Sequence, residues 1–149
     1  MKTKRLIILE NSLEKKTKKL DERFSQHFAD VKSANGQPLN DKRNGQATLT
    51  RWERQNDAIR KLQASIEKTQ NAIDREQNKI FQTQHGYEHF PQEIKTLIDE
   101  GVLKQWRKHP HILFVEGVER ARLVWHRNTK MLVHRYTRSI PEQEQFSVF

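Results

Sequence analysis

Histidine is the side chain best suited to acid–base and metal chemistry near neutral pH, and this chain carries seven of them and no Cys. His109 and His111 flank Pro110, and His126 and His134 follow downstream. A catalytic zinc centre needs three protein ligands converging from fixed elements, with carboxylate support behind them. Here no HExxH pair supplies it, and His109 adjoins a proline turn. The chain also lacks a G-x-S-x-G elbow, a P-loop and a dinucleotide fingerprint. Without Cys there are no disulfides, thiolate metal sites or cysteine nucleophiles. The expectation is no catalytic residue, no metal and no cofactor. Such a chain works by binding.

What it would bind is suggested by charge. The 28 Lys and Arg outnumber 19 Asp and Glu, for a net charge of +9. Between residues 103 and 138 lie Lys104, Arg107, Lys108, Arg120, Arg122, Arg127, Lys130, Arg135 and Arg138, opposed only by Glu116 and Glu119. Residues 1–84 carry a surplus of the same size, but spread over more than twice the length and interleaved with acids, as on a solvated helical face. The C-terminal concentration is a patch. Trp106, Phe114, Trp125 and Tyr136 are interspersed within it. Lys and Arg neutralise phosphates, while aromatic faces stack on unpaired bases, so the combination suits nucleic acid. It equally suits an acidic protein surface. No recognised module is present: there is no zinc finger, RNP aromatic box or GXXG loop.

The patch falls where the sequence turns β-branched and aromatic. Leu103–Trp106, His111–Val115, Arg120–His126 and Met131–Thr137 read as short strands, and the last two form a hairpin around residues 127–130. Alternation puts Arg120, Arg122, Val124 and His126 on one face, with Met131, Val133 and Arg135 from the next strand. Ala121, Leu123 and Trp125 take the other. One face should therefore be basic and exposed, the other apolar and packed, with Phe114 and Trp125 in the core. Before these strands, Pro91 opens a short helix through Ile94, Leu97 and Ile98 that stops at Gly101.

Two longer helices come first. Leu6, Leu9, Leu13, Leu20, Phe24, Phe28 and Val31 form one amphipathic stripe. That helix starts either near residue 3 or at an Asn11–Glu14 capping box, and Asn35–Gly36–Gln37–Pro38 ends it. A polar loop follows from Leu39 to Leu49, with a turn at Asn44–Gly45. Thr50 and Glu53 then form a capping box, with no Gly or Pro until Gly86. Trp52, Ile59, Ile66, Ile73 and Ile80 recur at intervals of seven, and Leu62 begins a second row continued by the polar Thr69 and Glu76. A strict heptad keeps one edge of a helix against a partner helix. Residues 50–84 would span roughly 50 Å as a helix. The partner is expected to be the first helix, in an antiparallel coiled-coil-like hairpin; a homodimer through the same seam is the alternative.

The fold class expected is thus α+β: a helical arm over residues 1–84, then a small α+β part over 85–149 containing a short helix and an antiparallel β-meander. A charged fraction of 32% against 34% apolar residues implies a thin core. The Leu6–Leu9 apolar run is too short for a secretory signal or a membrane span, so no membrane is expected and the cytoplasm is the default. The function expected is that of a non-enzymatic accessory or regulatory protein that docks its basic surface on nucleic acid or a nucleoprotein complex. The alternative is an inhibitor from a mobile element (a phage or plasmid), anti-CRISPR-like, that acts on a host defence complex by protein–protein binding.

Overall fold

The computed structural model describes residues 2–35 and 45–135. Among these residues the fold is α+β, with three helices and one four-stranded antiparallel sheet, in the order α1 (Lys4–Ser33), α2 (Gly45–Glu88), α3 (Gln92–Asp99), β1 (Leu103–Gln105), β2 (Ile112–Val115), β3 (Arg122–His126) and β4 (Met131–Arg135). The expected end signal Gly36–Pro38, the loop from Leu39 to Asn44, the strand end at Tyr136–Thr137 and Arg138 lie outside the described residues. The chain divides into two compact units, Met1–Glu76 and Gln77–Phe149.

In the first unit the start of α1 is fixed by Thr3. Its hydroxyl accepts from the Leu6 amide at 3.2 Å, so it caps an end whose first N–H groups have no partner inside the helix. Asn11 and Glu14 lie well inside the helix and cap nothing. The apolar stripe holds at Leu6, Leu9, Leu13, Leu20, Phe24 and Val31, all buried or half-buried, but not at Phe28, which is 64% exposed. His27 takes its place on the packed face, with Nδ1 2.6 Å from Gln55 Oε1, while Phe28 stacks on Phe24 at 5.9 Å between ring centroids.

Helix α2 begins five residues before the expected Thr50 cap. Thr50 is interior to it, donating its hydroxyl to the Gln46 carbonyl at 2.9 Å. The reason is packing: Thr48 is buried, four residues before Trp52 on the same stripe, so the helix extends to include it. Residues 45–49 are therefore helix and not loop. The seam residues Trp52, Ile59, Leu62, Ile66, Ile73 and Ile80 are all buried or half-buried.

The polar seam positions have partners on α1. Lys16 Nζ donates to Thr69 Oγ1 at 2.8 Å, and Thr3 Oγ1 donates to Glu76 Oε1 at 2.9 Å. Thr69 is 6% exposed and Glu76 only 2%. Burying such groups without partners would cost about 1–3 kcal/mol each, and more for a charge. Near the other end, Arg51 donates bidentately to Asp30 at 2.7 and 3.0 Å, and Gln55 adds a bond at 2.9 Å. Arg51 first, then Gln55, holds the Asp30 carboxyl below its ordinary value.

In the second unit α2 runs through Gly86 to Glu88, although glycine was expected to end it. Gly86 is instead a place of close approach: a Cβ built there would lie 2.8 Å from Gln105 Nε2 and 2.9 Å from Pro110 Cβ. Helix α3 starts at Gln92 with Pro91 as its N-cap, so Pro91 stands one residue ahead of the first helical position, where it was expected. It ends ahead of Gly101, whose φ of +81° suits glycine.

The strands run in sequence order, each antiparallel to the next. Phe90, Ile94, Leu103, Leu113 and Leu123 form the core under one sheet face, with Tyr87, Ile98, Val115 and Trp125 packed around them. Strand β3 starts at Arg122, two residues later than expected, because Arg120 sits at φ +62°. That left-handed geometry belongs to a turn and not to an extended strand.

Candidate nucleic-acid interface

Register decides which charges meet. Lys104 on β1 faces Phe114 on β2, Phe114 faces Arg122 on β3, and Arg122 faces Arg135 on β4. These four residues form one row across the whole sheet, and since side chains alternate between faces, all four project from the face opposite Leu113 and Leu123. The Arg122 guanidinium lies over two rings, 5.1 Å from the Trp106 centroid and 5.7 Å from that of Phe114. Such interactions are worth about 0.5–1 kcal/mol each at partly exposed sites. Trp106 and Phe114 are themselves 5.5 Å apart, and His109 stands edge-on to Trp106 at 4.8 Å.

This face differs from the expected one in two ways. Val124, assigned to it by alternation, is 4% exposed and faces Val133, while Ile112 on the adjoining strand is 5% exposed, so the basic row borders an apolar one. Arg120 is not on the strand at all; its turn conformation places it ahead of β3. On the opposite face, Phe114 and Trp125 were expected together in the core. Phe114 belongs to the basic row, and both rings are half-buried.

The remaining basic residues are dispersed. Lys104 is ion-paired with Glu116, which offsets part of its charge. Arg107 and Lys108 lie exposed in the connection between β1 and β2. Arg127 and Lys130 bracket the β3–β4 turn, both exposed, with Lys130 at φ +49°. Lys104, Arg122 and Arg135 are thus brought into one row, and Arg127 and Lys130 into a second locus at the hairpin tip.

At that tip the hairpin and the start of α3 enclose a groove of about 720 Å³. Phe90, Pro91, Ile94, Trp125 and Leu132 form its apolar lining, and Arg127 and Lys130 provide its cationic groups, with His89 also at its wall. Sequence reading missed this groove. It pairs Trp125 with Pro91, residues far apart in the chain, and no local pattern marks such a meeting. Trp125 also leaves its indole Nε1–H buried without an acceptor.

The histidines do not form a centre. Among the described residues no three His, Cys, Asp or Glu side chains lie close enough to hold a metal ion. Burial above all, with the nearby charges of His109, Arg135 and His126, holds the His111 imidazole below its ordinary value. Among the described residues no helix is long and apolar enough to cross a membrane.

Comparison of the chain with protein-family models, curated proteins and solved structures finds no match. Any functional reading therefore rests on this geometry.

Proposed function

We propose that the chain is a non-enzymatic, cytoplasmic accessory protein that docks its basic sheet face and hairpin tip on nucleic acid or a nucleoprotein complex. One observation carries the reading: Lys104, Arg122 and Arg135 share a cross-strand row with Phe114, and Arg122 lies over the Phe114 and Trp106 rings. Cations held beside aromatic faces can neutralise phosphates and stack on bases at once.

In the same reading, α1 and α2 form an antiparallel, coiled-coil-like hairpin. In its favour, Thr3 bonds Glu76, Lys16 bonds Thr69 and Asp30 bonds Arg51, so positions advance along one helix as they recede along the other. A homodimer through the heptad would have to displace these bonds.

The test is binding of labelled oligonucleotides between 50 and 200 mM salt. Neutralising about four phosphates should lower single-strand affinity roughly 50-fold over that range, through counterion release. Absence of binding even at 50 mM salt rejects nucleic acid as the target. A protein partner that withstands nuclease in a pull-down would then favour the inhibitor of a host complex.

A further inference from the structure

The groove at the hairpin tip has three properties that belong to one kind of ligand. Its lining is apolar and aromatic: the Phe90 and Trp125 rings stand edge to face, 6.4 Å apart, with Pro91, Ile94 and Leu132 completing the walls. Its volume falls within the ~300–1,000 Å³ usual for small-molecule sites.

The cationic groups identify the rest of the ligand. Arg127 and Lys130 lie on one side, and the start of α3 on the other. Pro91 caps that helix without any side-chain hydrogen bond. A helix start in this condition attracts anions. Glu93, the acidic residue of the first turn, offsets part of this field and does not line the groove.

An aromatic body with an attached anion fits an apolar, ring-lined groove with cations beside it, and describes a nucleotide. We infer that this groove takes a single unpaired nucleotide of a nucleic-acid strand. The base lies against the Trp125 ring and Leu132, with the adjoining phosphate on Arg127 and Lys130. The inference rests on the proposed function and sharpens it, because a base can enter only from a single strand or an opened end.

The experiment uses the full chain and fluorescence anisotropy with three labelled probes: a twelve-nucleotide oligothymidylate, an abasic strand of equal length, and a twelve-base-pair duplex. Stacking on aromatic side chains should make oligothymidylate bind about tenfold more tightly than the abasic strand. Trp125→Phe keeps an aromatic ring but shortens the stacking surface and loosens packing beside the core, so melting should fall modestly while the protein stays folded. Its preference for oligothymidylate over the abasic strand should fall about fivefold. Leu132→Trp fills the groove from a position already 39% exposed, and should abolish the preference while leaving abasic-strand and duplex affinity intact. If oligothymidylate and the abasic strand bind alike, or if both variants keep the wild-type preference, the groove is not a nucleotide site, though the basic face stands. If none of the three probes binds at low salt, the basic-face reading fails as well. Tight binding of an acidic peptide in the groove, competing with no oligonucleotide, would also overturn the inference.

Discussion

A methyl group is all that separates Gly86 from alanine, and the space for it is already taken. Gln105 Nε2 occupies it, held by the carbonyls of Thr83 at 3.0 Å and Pro110 at 2.9 Å. Moving the amide away would break two bonds to partly buried groups. Alanine favours a helix interior over glycine by about 1 kcal/mol, whereas overpacking costs about 1–3 kcal/mol. With backbone and a proline ring fixing the neighbourhood, the clash should prevail. Gly86→Ala should therefore lower stability by about 1 kcal/mol in urea denaturation; an unchanged or raised midpoint would mean that the β1–β2 connection yields freely. The same position shows what one-dimensional reading misses. Glycine in a helical pattern looks like a stop, but here it is the condition for Pro110 and Gln105 to approach the helix. Arg120 is a parallel case: its charge was legible, and its left-handed backbone was not.

At the scale of the element, periodicity made the helices legible and their termini less so. Trp52, Ile59, Ile66, Ile73 and Ile80 repeat every seven residues, and no tertiary information is needed to see that they share an edge. The polar row beside them is harder. Thr69 and Glu76 looked like weak points in a seam, and only the positions of Lys16 and Thr3 on α1 make them partnered positions. The start of α2 was misplaced for a related reason, because buried Thr48 extends the packed stripe beyond the local capping signal. The cross-helix bonds at Asp30 also give α1 and α2 a pH dependence of known sign. Arg51 and Gln55 hold the Asp30 carboxyl below its ordinary 3.8. The unfolded chain therefore takes up the proton first, and the stabilisation present above 3.8 is lost as pH falls through the folded-state value. Helical circular dichroism melts between pH 6 and 2.5 should show this loss. Asp30→Asn, which cannot titrate, should start less stable and lose less over the same range. Parallel pH profiles for the two proteins would mean that Asp30 contributes nothing.

For the whole molecule, the question is whether the charge of +9 acts as a diffuse field or through a local surface. Composition made the surplus and its C-terminal concentration legible. It could not divide that concentration into a cross-strand row and a hairpin tip, because register depends on which strands pair and in what alignment. The geometry also changes which residues test the point fairly. Arg122 packs over Trp106 and Phe114, so reversing it would disturb packing as well as charge. Lys16 donates to Thr69 and is unsuitable for the same reason. Arg127, Lys130 and Arg135 are exposed on the sheet side, and Lys15, Lys18 and Lys19 are exposed on α1. Changing either triple to Glu shifts the net charge equally. A diffuse field would respond equally to both changes, since long-range attraction depends on total charge. A docking surface responds only where phosphates are touched: each phosphate left without its cation reduces the slope of log affinity against log salt by about 0.7–0.9. The sheet triple should therefore weaken oligonucleotide binding by about 100-fold and flatten its salt slope by about two units. The α1 triple should cost a few-fold and leave the slope almost unchanged, with circular dichroism confirming that both proteins fold. Equal losses would show that the charge acts as an undirected field. A larger loss for the α1 triple would transfer the working surface to the helices.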